Sequence, residues 1–180
     1  MVKVIKQGDI LNFSWKNPYG KLIKLHNYLV YGFNRDYKWT HSAIVGKVNK
    51  DTVEVYEALS DGFVMNVYGK GELQTYIDNG NLILGNVKKP LTNVEKNCKK
   101  YLGTPYGWLD IFHIGLYTLF GKTSFIFSTK AKKLICSEAV ARILYDSSKG
   151  EVNFEKEFNR KYDLISPIDL YKSKQIEWRK

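Results

Sequence analysis

Cys136 is the residue in this sequence whose type and position most suggest covalent chemistry. It lies in the run LICSE at 134–138, where the apolar spacing of the following residues predicts the start of a helix. A thiol is nucleophilic only as the thiolate, and the unpaired backbone N–H groups at a helix N-terminus stabilise that anion. The backbone amide of Cys136 is also placed to face a developing oxyanion. The other cysteine, Cys98, falls on the apolar face of a different predicted helix and fits a buried structural thiol.

His41 and Glu57 are predicted to lie close together on adjacent strands. A three-residue loop at 49–51 would pair Val48 with Thr52, so that paired residue numbers sum to 100 and Glu57 faces Ala43. His41 and Glu57 then share one sheet face as diagonal neighbours about 7–8 Å apart at the backbone, within reach of a carboxylate–imidazole contact. A slip of one residue would place them on opposite faces.

The three residue types together form the set used in nucleophilic catalysis. Cys136 would be the nucleophile, His41 the general base and acid, and Glu57 the group that orients the imidazole and stabilises its charged form. Each residue alone also has a structural interpretation: a buried thiol, a satisfied histidine at a strand edge and a solvent-facing strand carboxylate.

The elements that must position these residues follow from hydrophobic periodicity. Strands are predicted at 8–13, 41–48, 52–58, 63–68 and 82–87, the last four as an antiparallel meander, and a turn is predicted at 17–20. Helices are predicted at 21–33, after Pro90, from about Cys136 and, as a short last helix, from about Ser166. Because the helices flank the strands and do not alternate with them, the expected fold class is α+β.

Composition limits the alternatives. The chain has 180 residues, 44% hydrophobic and 26% charged, which excludes disordered, collagen-like and coiled-coil classes and predicts one domain over 1–180. Two cysteines are too few for a disulfide framework, and the N-terminal residues contain no apolar run typical of a secretory signal, so the default compartment is the cytoplasm. The net charge of +10 favours anionic partners.

The order of these motifs resembles that of a known family. Histidine, then an acidic residue on the next strand, then cysteine at a helix start reverses the usual order of papain-like enzymes. It resembles the circularly permuted NlpC-type group, specifically the YiiX-like permuted papain-fold amidases. The matching segments are GDIL at 8–11, THSAIV at 40–45, VYEA at 55–58, YLGTPYGW at 101–108 and ICSE at 135–138.

This resemblance implies a permuted papain-like fold in which an antiparallel sheet bearing His41 and Glu57 packs against the helix that presents Cys136. It implies a thiol hydrolase without a cofactor that cleaves a peptide, isopeptide or cell-wall peptide bond through an acyl-enzyme. Tyr106 matches an aromatic position before the cysteine segment and would line the cleft or donate to the oxyanion. The other expected substrate-binding or oxyanion residues are Trp108, Ser137 and Trp39.

The apolar run between Gly107 and Thr129 departs from the family pattern. We expect an insertion at about 109–129 that covers the cleft, with membrane-surface contact through 109–127 as an option. Asp110, His113 and Lys122 interrupt the run, which argues against a spanning helix. A lid of this kind suits apolar substrates, so the expected partner is an amide- or ester-bearing molecule, anionic or lipid-like.

Three other functions stay open or are disfavoured. A lipid-directed acyl hydrolase or acyltransferase is the enzymatic alternative, although relatives of the lecithin:retinol acyltransferase type usually carry an Asn-Cys-Glu-His-type motif. A catalytically inactive binding module is the second alternative. Nucleic-acid binding is not expected, because lysines are spread along the whole chain. No metal site is expected, because no pair has ligand spacing among these residues: His26, His41, His113, Cys98 and Cys136.

Overall fold

The computed structural model describes residues 4–16, 18–31, 37–107 and 133–179, which form a six-stranded antiparallel sheet with helices packed against it. The sheet order is β4-β3-β2-β1-β5-β6. The strands are β1 Ile10–Phe13, β2 His41–Val48, β3 Thr52–Leu59, β4 Gly62–Gly69, β5 Leu82–Val87 and β6 Ile176–Arg179. This is the α+β class expected from the sequence.

The described helices are short, and one of them begins at the predicted nucleophile. They are α1 Pro18–Tyr31, α2 Lys70–Asp78, α3 Val94–Lys99, α4 Cys136–Ser147, α5 Phe154–Phe158 and α6 Pro167–Lys172, with a 3₁₀ turn at Tyr162–Leu164. Helix α6 begins with a capping box, in which Ser166 accepts from the Asp169 amide and Asp169 accepts from the Ser166 amide.

The strand predictions are confirmed for β2 and β5, but the connection to β5 is wrong. Strands β2, β3 and β4 form a meander, whereas β5 pairs with β1 and not with β4. The unpredicted helix α2, with Leu73 buried, follows β4 directly and precedes β5. The predicted turn at 17–20 is also wrong from Pro18 onward, because Pro18 opens α1, a position that proline favours. Strand β6 was not predicted.

Side chains alternate between two hydrophobic clusters, one on each sheet face. Ile44 and Tyr56 pack in the cluster that contains Val140 of α4. Ala43 and Val55 pack in the other cluster, which contains Leu73 of α2. His41 and Glu57 have the same strand parity as Ala43 and Val55. The predicted pair therefore belongs to the α2 side of the sheet, while the body of α4 covers the opposite side.

The predicted register of β2 and β3 is confirmed at the end of the hairpin that carries the site. Ala43 faces Glu57, as expected, whereas at the loop Val48 faces Val53 in place of Thr52 because the register shifts between Val45 and Val48. Within this shift, Gly46 is required by packing: a Cβ built there would lie 2.3 Å from Cε2 of Tyr56.

Some sequence predictions fall outside the described residues. Trp108, the lid at 109–129 and the membrane-contact segment 109–127 belong to 108–132, and the predicted end of the first helix at Phe33 belongs to 32–36. Within the described ranges, none of the helices combines the length and the apolar character needed to cross a membrane.

Candidate active site

The imidazole of His41 and the carboxylate of Glu57 form a buried hydrogen-bonded pair. Nε2 of His41 lies 2.8 Å from Oε2 of Glu57, and the two residues are 2% and 1% exposed. The ring of Trp15 stacks on the imidazole, with 3.9 Å between centroids and 16° between planes. The predicted diagonal contact therefore exists, and the indole holds the imidazole from one face.

Glu57 is held by two further residues that the sequence analysis did not identify. Its Oε1 accepts hydrogen bonds from Nδ2 of Asn66 at 2.9 Å and from the hydroxyl of Tyr68 at 2.8 Å, both on β4. Burial opposes the charged carboxylate, but the hydrogen bond and charge of His41, with the bonds from Asn66 and Tyr68, outweigh it and lower the pKa of Glu57. Since Glu57 faces Val64, the even spacing of 64, 66 and 68 was a usable signal for this shared face.

Cys136 is the first residue of α4, as predicted. Ile135, in extended backbone, precedes the helix, and Glu138 lies in its first turn. The backbone amides of Ser137 and Ser42 and the imidazole of His41 lie near enough to the sulfur to favour its thiolate form and lower its pKa. Because Ser42 is the second residue of β2, the N-terminus of α4 meets β2 at its first two residues. The nucleophile candidate thus reaches His41 at the beginning of that strand.

The charges of Cys136 and His41 stabilise each other. Burial opposes the thiolate, but the charge and hydrogen bond of His41, with the amides of Ser42 and Ser137, lower the pKa of Cys136 below its ordinary value. Burial also opposes the imidazolium, but Cys136 and Glu57 outweigh it and raise the pKa of His41 to about 9. Between these two values the favoured state is a thiolate–imidazolium pair, which titrates as a unit. Since Nε2 serves Glu57, Nδ1 is the ring nitrogen left for the sulfur.

Tyr106 lies beside this pair. It forms an isolated parallel bridge with Leu134, and the backbone amide of Gly107 donates to the Leu134 carbonyl at 3.0 Å. Burial, followed by the charge of Cys136, raises the pKa of Tyr106 above its ordinary value, so its phenol is protonated and able to donate. The bridge ties the 101–107 segment to the residues that lead into α4.

The remaining predicted residues have other surroundings. The side chain of Ser137 is fully buried, and its hydroxyl donates to the Ile165 carbonyl at 2.6 Å, so the backbone amide of this residue is the group directed to the sulfur. Trp39 packs in a separate cluster with Ile83 and Ile168. Trp108 lies outside the described residues.

The second cysteine has an environment unlike that of Cys136. Cys98 is completely buried in the cluster beneath α4, and burial raises its pKa to about 12. Cys136 retains 5% exposure. The two thiols therefore differ in both protonation and accessibility.

Among the residues described by the structure, no three His, Cys, Asp or Glu side chains are grouped so as to hold a metal ion.

Comparison with known proteins supports the fold alone. No protein-family model and no curated protein matches this sequence. Among solved structures, the fold is similar to that of the metalloprotein YiiX from Escherichia coli O157:H7, assigned to DUF1105, with a TM-score of 0.60 and 16% sequence identity. The match covers 97% of this chain and 96% of that one. The expected likeness to YiiX is thus confirmed for the fold, whereas the permuted papain-like placement stays a prediction.

Proposed function

We propose that this protein is a cysteine-dependent hydrolase that cleaves an amide bond through an acyl-enzyme on Cys136. The observation that carries the proposal is the buried His41–Glu57 hydrogen bond, with Cys136 close enough to the imidazole for the two to shift each other's pKa. A nucleophile, a base and an orienting acid are joined in that order, as activated-nucleophile catalysis requires. The YiiX-like fold agrees with this reading but does not carry it, since 16% identity bears on fold only.

The first half-reaction forms a thioester. The Cys136 thiolate attacks the substrate carbonyl carbon, a C–S bond forms, and the carbonyl π electrons move onto oxygen. Collapse of this tetrahedral species breaks the C–N bond, and the His41 imidazolium gives its proton to the departing amine. The products are the acylated Cys136, a free amine and neutral His41, which Glu57 keeps in the orientation needed for the next step.

The second half-reaction releases the acid. Water attacks the thioester while His41 takes its proton, the C–S bond breaks, and the thiolate–imidazolium pair is restored. The negative oxygen formed in both halves needs donors close to the sulfur. The Cys136 amide at the first position of α4 and the phenol of Tyr106 are the groups we assign to this task.

A metal centre is a separate question, because the similar YiiX structure is described as a metalloprotein. In this chain Nε2 of His41 bonds to Glu57, the ring also lies beside Cys136, and the described ranges gather no set of three ligands. These residues do not fit a resident metal ion, and we derive no step through one.

Selective alkylation tests the proposal. At pH 7 iodoacetamide is expected to label Cys136 on the order of a hundredfold faster than Cys98, because only Cys136 has a lowered pKa. Cys136→Ala should therefore abolish rapid labelling, and Cys98→Ala should leave it intact. Peptide mapping by mass spectrometry identifies the modified residue.

Acyl-transfer assays on the same protein then distinguish amide-directed from ester-directed chemistry. Incubation with acyl p-nitroanilides and acyl p-nitrophenyl esters is expected to give an intact-mass increase equal to the acyl group, located on Cys136. Labelling at equal rates on both cysteines would contradict the proposal. A labelled Cys136 that accepts acyl groups only from esters would favour the lipid-directed alternative.

A further inference from the structure

A cavity of about 340 Å³ lies next to the candidate active site and plays no part in the mechanism above. This volume is within the range of pockets that bind small ligands. Residues from three places in the chain line it: Ser14, Trp15 and Lys16 after β1, Tyr76 of α2, and Asn81 before β5. The backbone amide of Ser14 donates to the Asn81 carbonyl at 2.8 Å, so two of these segments are joined directly.

Trp15 connects this cavity to the catalytic histidine candidate. Its ring stacks on the imidazole of His41 at 3.9 Å, and the same residue lines the cavity. The side chain of Trp15 therefore lies between the cavity and a molecule bound beside His41. Its position beside His41 suits a substrate subsite. Its composition suits one too, since the walls of ligand pockets combine aromatic surface with a few polar groups.

Three lysines lie in or near this region, and none of them is paired with a carboxylate among the described residues. Lys16 lines the cavity, and Nζ of Lys38 donates to the carbonyl of Gly80, next to Asn81, at 2.6 Å. Lys24 of α1 lies close enough to both that burial and their charges lower its pKa. Within the described ranges no carboxylate pairs with any of the three, although eight other ion pairs are present.

The position of Lys38 and Lys24 is built into the fold. Asn27, which is 2% exposed, donates through Nδ2 to the carbonyls of Tyr37 and Trp39 at 3.1 and 3.2 Å. These carbonyls flank Lys38, and Lys24 lies three residues before Asn27, on the same side of α1. Buried hydrogen bonds thus hold like charges together, an arrangement that an anion would relieve.

We propose that the cavity beside Trp15 binds an anionic group of the substrate, a carboxylate or a phosphate, through Lys16 and Lys38, with Trp15 and Tyr76 as its walls. Ser14 and Asn81 add neutral hydrogen-bonding groups at the same place. The assignment to a substrate depends on the function proposed above, whereas the anion site itself does not. The anion site gives the hydrolase a preference for acyl compounds whose negative charge lies on the other side of Trp15 from His41.

Amide chemical shifts of Cys136→Ala protein test the site without any turnover. Titration with inorganic phosphate and with acetate is expected to shift the amides of Ser14, Lys16 and Asn81, whereas the neutral analogues trimethyl phosphate and acetamide should leave them in place. Lys16→Gln and Lys38→Gln should each weaken binding by about tenfold. Added sodium chloride should weaken it further.

The matched control is Lys50→Gln, an exposed lysine in the loop between β2 and β3. Its affinity for the anions should equal that of the parent protein. Equal losses for Lys50→Gln and Lys16→Gln, or unshifted amides with both anions, would overturn the proposal. A stronger response to phosphate or to acetate assigns the anionic group and supports the site in either case.

The two proposals fail separately. Binding of the anions by a protein whose Cys136 is inert toward alkylation would remove the hydrolase function and keep the anion site. Selective labelling of Cys136 without anion binding would do the reverse. Once an acyl substrate is found, a carboxylated compound should exceed its methyl ester in kcat/KM, and Lys16→Gln should reduce that ratio.

Discussion

At the residue scale, the buried carboxylate of Glu57 controls the chemistry of the site. It accepts three hydrogen bonds, from His41, Asn66 and Tyr68, at 2.8 to 2.9 Å. An ionised carboxylate so deeply buried is tolerated only with such partners. Its negative charge in turn favours the imidazolium form of His41, and that cation favours the thiolate of Cys136. The charge of each group therefore influences the protonation state of its neighbour, while Glu57 itself stays ionised.

Glu57→Gln is the substitution that tests this chain. The neutral amide keeps the shape but removes the charge, so the pKa of His41 should fall from about 9 toward its ordinary value of 6.5. The pKa of Cys136 should rise, because its cationic partner is populated less. The alkylation rate of Cys136 at pH 7 should drop by about tenfold or more. NMR titration of His41 and the pH dependence of alkylation measure both effects.

The pH profile has a defined sign. Below the lowered pKa of Cys136 the sulfur is protonated and unreactive, and above about pH 9 His41 loses the proton that the leaving amine needs. Amide cleavage should therefore be fastest between these limits, and in Glu57→Gln the alkaline limit should move to lower pH. Glu54→Gln, on the same strand, is the control and should keep the parent profile. An identical profile for Glu57→Gln would refute the role given to Glu57.

At the element scale, the N-terminus of α4 presents the sulfur. Cys136 and Ser137 occupy its first two positions, and the Ser137 hydroxyl ties the helix to the Ile165 carbonyl at 2.6 Å. The free amides of the first turn are the source of the anion stabilisation that the sequence predicts. Helix α4 thus contributes to the site in two ways. The Ser137 hydroxyl anchors the helix, and the backbone amides of its first turn stabilise negative charge on the sulfur.

Ser137→Ala separates these contributions. Removal of the hydroxyl leaves the buried Ile165 carbonyl without that donor, so the free energy of unfolding should fall by about 1–3 kcal/mol. The backbone amide remains, so the pH dependence of Cys136 alkylation should be unchanged in the folded protein. Urea unfolding and the labelling assay measure the two effects.

The control for this pair of effects is Ser60→Ala, whose hydroxyl donates to exposed Asp61 at 3.2 Å. It should change stability by less than about 0.5 kcal/mol. A large loss of Cys136 reactivity in folded Ser137→Ala would show that the hydroxyl itself takes part in the chemistry.

At the scale of the whole molecule, the sheet brings the two ends of the described chain together. Strand β6 pairs with β5, which pairs with β1, and β1 pairs with β2, which begins at His41. Arg179 donates through Nη1 to the Val4 carbonyl at 2.6 Å and also pairs with Asp9. The strand that begins at His41 is therefore hydrogen-bonded, through β1 and β5, to the C-terminal strand β6.

Gly85→Ala tests this support. Trp178 and Ile176 of β6 lie over Gly85, and a Cβ there would approach their side chains to 2.7 and 2.8 Å. We expect the extra methyl group to cost about 1–3 kcal/mol of stability, because β6 must shift to admit it. Thermal unfolding measures the loss.

Gly71→Ala is the matched control, because a Cβ at Gly71 of α2 would meet nothing within 4 Å. Alanine is the better helix former, so this variant should gain about 0.4–1 kcal/mol. If Gly85→Ala were as stable as the parent protein, the packing of β6 on β5 would not contribute as inferred.

The sequence alone determined the features that depend on short stretches of backbone. The loop at 49–51 and strand alternation predicted that Glu57 faces Ala43 and shares a face with His41, although the pairing at the loop differs and the shift between Val45 and Val48 restores the predicted pair. Apolar spacing was enough to place a helix start at Cys136. These features follow from local geometry, since turn length and side-chain periodicity are set by residues a few positions apart.

Only the tertiary structure decided which distant groups meet. The pairing of β1 with β5, the stacking of Trp15 on His41 and the approach of Cys136 to that ring join segments far apart in the chain. The tertiary structure likewise decided the positions of Asn66 and of the lysines near the cavity. Their positions depend on the packing of whole elements against one another, and that free energy is a sum over long-range contacts that local periodicity does not contain.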